Sequence, residues 1–181
     1  GQRQILRSTN AGANWAVRLT HPFGEYGIPI ERHPEQPDTV LFGGEDDVLY
    51  RSVNGGLNWS PWGAASFRSP CDLVITPGDP AQVIVADGIT SVGHAYLHQS
   101  TDGGASFSMR DSVAGSEVPS LAVSRQRTKD VFAMTWSAVG ARVSHDGGES
   151  WELLEDLNRP GQSIAATWGT DIARDDPNVV F

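Results

Sequence analysis

The sequence has 181 residues, enough for one ordinary domain with a real core. Its 20 glycines and 11 prolines, against 19% charged residues, argue against a mainly helical protein, because both residue types break helices and make turns. A net charge of −9 excludes nucleic acid as a partner unless a basic patch exists, and Arg125, Arg127 and Lys129 read only as a solvated turn.

Taken in chain order, the segments read as short strands separated by turn signals. "GQRQILRSTNAGANW" predicts a strand, a polar turn and a second strand. "GIPIERHPEQPDTVLFGGEDDVLYRS" predicts three strands, and so do "DLVITPGDPAQVIVADGITSVGHAYLHQS" and "SLAVSRQRTKDVFAMTWSAVGARVS". Each of these runs ends in a polar turn like the first one. The chain finishes with "DIARDDPNVVF", two further strands around a turn.

The polar turn recurs four times. It places Ser8, Asn10, Gly12 and Trp15; Ser52, Asn54, Gly56 and Trp59; Ser100, Asp102, Gly104 and Phe107; and Ser144, Asp146, Gly148 and Trp151. The serines at 8, 52, 100 and 144 recur at a period that marks a repeat architecture. Each position has a physical task. The Ser hydroxyl and the Asp or Asn side chain accept from nearby backbone N–H groups and fold the chain back. The fifth-position Gly supplies a positive φ. The closing aromatic packs over the turn or into the adjoining sheet. A metal loop is the weaker reading, because two copies carry Asn and no acidic ladder ends in Glu.

Four short antiparallel strands per repeat make one propeller blade, with the short apolar first strands "DLVI", "SLAV" and "DIA" innermost. The expected fold is therefore an all-β propeller. Its blade units are 1–20 (incomplete), 21–64, 65–112, 113–158 and 159–181 (incomplete). The turn resembles the BNR or Asp-box repeat, S-x-D-x-G-x-[ST]-W. That repeat is found in sialidases, xyloglucan-cleaving glycosidases, sortilin-type receptors and photosystem II assembly-factor propellers. "HPEQPDTVLFGG" and "ARDDPNVVF" are most similar to the xyloglucanase and assembly-factor branches. Such propellers usually have six or more blades, so the resemblance implies a segment of a larger propeller. A compact four-bladed ring and completion by a second chain are the alternatives. Starting at Gly, the chain reads as processed, excised or part of a longer polypeptide.

Catalytic chemistry is hard to find. The Arg-Ile-Pro signature implied by a sialidase resemblance is missing, since "GIPI" has no Arg before Ile28. A glycosidase needs two carboxylates facing each other across a groove. Glu25, Asp46, Asp47, Asp87 and Asp111 are the candidates, with Asp46 and Asp111 retained as weak catalytic ones; a solvated loop role is expected for each. His21, His33, His94, His98 and His145 lack metal-ligand spacing, so no metal or other cofactor is expected. Cys71, the single cysteine, allows no intrachain disulfide and reads as a buried apolar side chain. No apolar run is long enough for a transmembrane segment, and none reads as a signal peptide.

Binding is the alternative. The loops away from the box turns converge on one face, and Tyr26, Trp62, Asp87, His94 and Trp136 fall in or beside them. Exposed aromatics there can stack on sugars or anchor a protein. The favoured expectation is a non-catalytic, extracytoplasmic recognition or scaffold module that docks on a protein partner or larger assembly, with carbohydrate as another ligand class. The competing expectation is a fragment of a xyloglucanase-like glycoside hydrolase.

Overall fold

The computed structural model describes residues 3–22, 27–45, 49–64, 67–78, 81–88, 93–136, 140–154 and 168–181. All regular structure among them is β. A two-stranded hairpin, β1 (Arg3–Arg7) and β2 (Ala16–His21), precedes three sheets of four antiparallel strands. The first sheet is β3 (Ile30–Arg32), β4 (Val40–Gly43), β5 (Leu49–Ser52) and β6 (Ser60–Trp62). The second is β7 (Pro70–Ile75), β8 (Val83–Asp87), β9 (His94–Ser100) and β10 (Ser108–Ala114). The third is β11 (Ser120–Val123), β12 (Val131–Met134), β13 (Ala141–Ser144) and β14 (Glu152–Leu154). In each sheet the spatial order follows the chain order. These are propeller blades. A last antiparallel bridge, Ile172 to Val180, repeats the start of a blade.

The first strands lie innermost: β7 touches both β3 and β11, its counterparts in the flanking blades. The middle blade is covered on both faces, which explains why "VIVA" on β8 is continuously apolar and fully buried. Successive side chains of a strand point to opposite faces. Val83 and Val85 accordingly pack with Leu41, Leu49 and Leu73 toward the first blade. Ile84 and Ala86 pack with Leu121, Val131 and Ala133 toward the third. The core is thus two apolar layers, one in each junction between blades.

The box aromatics serve these junctions. Phe107 packs against the layer between the first and second blades, and Trp151 against the layer between the second and third. Trp15 has no preceding blade among the described residues, and it is 62% exposed.

Polar bonds also cross the junctions. On the inner strands, Leu121 N–H donates to Asp72 Oδ2 at 2.7 Å, and Thr170 N–H donates to Ser120 Oγ at 3.1 Å. Between outer strands, Arg142 Nε pairs with Asp111 Oδ2 at 3.1 Å.

Candidate functional site

Each repeated turn is closed by the same bonds. In the fourth copy Ser144 Oγ donates to Asp146 Oδ1 at 2.8 Å and accepts from Asp146 N at 3.3 Å and Gly148 N at 2.8 Å. Asp146 Oδ1 also accepts from Ser150 N at 2.9 Å. The same set recurs from Ser8 with Asn10, Ser52 with Asn54 and Ser100 with Asp102. The carboxylates are held by these bonds. Hydrogen bonds from the Ser106 and Ser100 hydroxyls and from backbone N–H groups lower Asp102 to about 2. At Asp146 a partial burial pushes upward, but bonds from Ser150, Ser144 and Glu149 outweigh it and leave the carboxyl at about 2.

The fifth-position glycines, Gly12, Gly56, Gly104 and Gly148, have φ between 80° and 91°. The fourth position is also left-handed, which the sequence reading did not anticipate: Gly55, Gly103 and Gly147 have φ of 65° to 81°, and Ala11 is held at 53°. The fourth-position N–H groups explain why. Those of Gly55, Gly103 and Gly147 donate to Asp38, Ala81 and Lys129 in the first-to-second-strand turn of the same blade.

The box turns and the first-to-second-strand turns therefore share one end of every blade. The other end carries the blade connections and the second-to-third-strand loops. There a cavity of about 290 Å³ opens between Gly27, Ile28, Asp72, Pro119 and Trp168. Ile28 is 76% and Trp168 55% exposed. Trp168 packs on Trp136 with ring centroids 4.1 Å apart, and Trp136 N–H is fixed on Glu117 O at 2.9 Å. Gly27 is required for the close approach: with φ of 135°, a Cβ would come within 1.8 Å of Cys71 O.

Asp72 lies beside this mouth. Burial, with a smaller push from the Glu31 carboxylate, raises it to about 7, against the bonds from Leu121 and Leu73 N–H. Cys71 is buried and pushed up to about 12 by the same desolvation, with Glu117, Asp87 and Asp72 adding to it. Such a thiol is unreactive.

The sequence candidates are dispersed. Trp136 does not line the mouth itself but packs against Trp168, which does. Trp168 was not singled out for binding, although its position just ahead of an inner strand matches that of Ile28. Three candidates need correction. Trp62 is the last residue of β6 and packs against the core layer between the first and second blades, because its ring fills that junction. Asp87 is 2% exposed, and its carboxylate caps Arg68 and Ser69 N–H at 2.6–3.0 Å, so it is a buried group that shapes its loop. Asp111 meets Arg142, so its position is that of an ion pair between blades. His94 begins β9 exposed, stacked on Tyr96 and away from Trp168 in the sheet order. Glu25, Tyr26, Asp46 and Asp47 lie outside the described residues. Among the described residues no three His, Cys, Asp or Glu side chains gather as a metal site requires, and no helix is long and apolar enough to cross a membrane.

Residues 142–153 match the BNR/Asp-box repeat model. The chain carries a BNR/Asp-box repeat there. The chain is 27% identical over 157 residues to a Xyloglucanase from Paenibacillus sp, covering 82% of the chain and 15% of that relative. An ancestral GH74 enzyme superposes with a TM-score of 0.69 at 19% identity, over 88% of this chain and 22% of that one. YCF48 bound to D1 peptide superposes with a TM-score of 0.62 at 14% identity, over 95% of this chain and 52% of that one. YCF48 from Cyanidioschyzon merolae gives 0.59 at 16% identity, over 94% and 57%. The structural likenesses establish the β-propeller fold, and the chain is similar to a stretch of these longer molecules.

Proposed function

We propose that this chain is a stretch of a carbohydrate-active propeller, and that its described residues bind a glucan chain without cleaving it. The observation that carries this reading is Trp168, half-exposed and held at a fixed angle by Trp136 beside the 290 Å³ mouth. A rigid aromatic face with a polar neighbour is the surface on which a sugar ring stacks. The 27% identity to a Xyloglucanase supports this ligand class. In this reading Asp72 ties the inner strands together, each of its oxygens accepting a backbone N–H. The proposal includes an extracytoplasmic location, where a polysaccharide would be met.

The test uses the whole protein that carries this chain, with xyloglucan oligosaccharides in titration calorimetry. Trp168→Ala is expected to weaken binding about tenfold, the scale of one aromatic contact. Unchanged affinity would remove the glucan reading.

The likeness to YCF48 bound to D1 peptide favours a second reading, in which the same face docks a peptide. Retention of a protein partner by the parent, lost with Trp168→Ala while xyloglucan affinity is nil, would select it.

A further inference from the structure

The box side of the molecule contains a second, differently built site. At two blade junctions, the residue before the box serine reaches forward to the fourth-residue carbonyl of the next box. Arg7 Nε donates to Gly55 O at 2.6 Å, and Gln99 Nε2 donates to Gly147 O at 2.7 Å. The junction between the first and second blades breaks the rule. Its equivalent carbonyl, Gly103 O, is taken by Trp62 Nε1 at 3.1 Å. Arg51, the residue before Ser52, is displaced. Its guanidinium lies over the Trp62 ring at 4.5 Å, and its Nε is buried with no hydrogen-bond partner. A cation–π contact holds the group in place and leaves its N–H donors unspent.

A cavity of about 150 Å³ lies at this spot, and Arg51, Trp62, His33, Gln36 and Asp102 line it. His33 is 6% exposed, and its Nδ1 accepts from both Glu35 N and Gln36 N at 3.1 Å. An imidazole nitrogen that accepts two backbone N–H groups carries no proton, so the neutral ring holds its proton on Nε2. That Nε2–H makes no hydrogen bond among the described residues. The cavity is thus lined by the Arg51 guanidinium, whose Nε–H is buried and unpartnered, and by the His33 ring, whose Nε2–H is unpartnered. The negative charge on its rim, Asp102, is exposed and already committed to Ser100 and Ser106. Solvent screens that charge far more than it screens Arg51.

We propose that this cavity binds a small monocarboxylate, the carboxylate oxygens accepting from the Arg51 guanidinium's terminal N–H groups and from His33 Nε2–H, with the carboxylate of an acidic sugar as the ligand class. A fork-shaped donor next to a second N–H suits a planar two-oxygen acceptor, and a volume of this size admits one such group. The site is independent of the Trp168 face, at the opposite end of the blades.

The test is NMR of the Trp62 indole N–H, assigned through Trp62→Phe. Titration with sodium glucuronate is compared with sodium acetate, and with glucose at matched ionic strength. A saturable shift with glucuronate, and none with glucose, is expected. A shift with acetate too identifies the bare carboxylate as sufficient; its absence assigns the acidic sugar. Arg51→Gln is expected to weaken binding about tenfold or more. The melting temperature of that variant, compared with the parent's, separates lost binding from lost fold. Trp168→Ala should leave the titration unchanged. No saturable shift with either carboxylate, or an Arg51→Gln variant that binds like the parent, would overturn the proposal.

Discussion

Asp72 Oδ2 accepts the Leu121 N–H at 2.7 Å, joining the innermost strands of two successive blades through one carboxylate. Its Oδ1 holds Leu73 N–H at 2.8 Å on its own strand. The carboxyl is nevertheless raised from 3.8 to about 7, because burial penalises its charge more than the two bonds favour it.

Stability should therefore fall as the pH rises from 3.8 to about 7. In that window the native chain holds a proton that the unfolded chain has released, and the slope of stability with pH is negative. Asp72→Asn removes the titration, and urea unfolding across the same window is expected to lose that slope. A variant with the parent's pH profile would show that Asp72 does not set it.

The box aspartates work in the opposite direction. Asp102 and Asp146 are depressed from 3.8 to about 2, so their contribution is complete above 3.8 and is lost as the pH falls through about 2. The double change Asp102→Asn and Asp146→Asn should flatten acid unfolding between these values. Asn10 and Asn54 already make the corresponding bonds without titrating.

Ser144 is 1% exposed, and its hydroxyl makes three bonds within the turn. Ser144→Ala leaves buried partners unsatisfied and should cost about 1–3 kcal/mol in denaturant unfolding. Ser8 makes the same bonds in an exposed turn, where water replaces the lost partner. Ser8→Ala is expected to cost clearly less, and equal costs would contradict the role of burial.

Ala11 occupies a left-handed position, φ 53°, that the other three boxes give to Gly. Ala11→Gly relieves the steric penalty but loosens the unfolded chain, leaving a net gain of about 0.5 kcal/mol. Slower amide exchange in the β1–β2 hairpin would register it.

The blades were legible because their signals are local. Ser, Asx, Gly and an aromatic close a turn within eight residues, and apolar alternation marks strands on either side. The sites depend on relations between blades. Trp62 reads as a loop aromatic until the neighbouring box places Gly103 O within reach of its indole. Asp87 reads as a loop carboxylate until the two residues just before β7 supply the N–H groups it caps. Trp168 and Trp136 are 32 residues apart in sequence and meet only across a blade boundary.

The forward reach of Arg7 and Gln99, one blade to the next and no farther, makes this molecule a row of couplings between adjacent units. A row of that kind has no keystone. Damage at one coupling loosens two units and leaves the others intact, so selection can rework one joint, as at Arg51 and Trp62, while the remaining joints continue to bear the load.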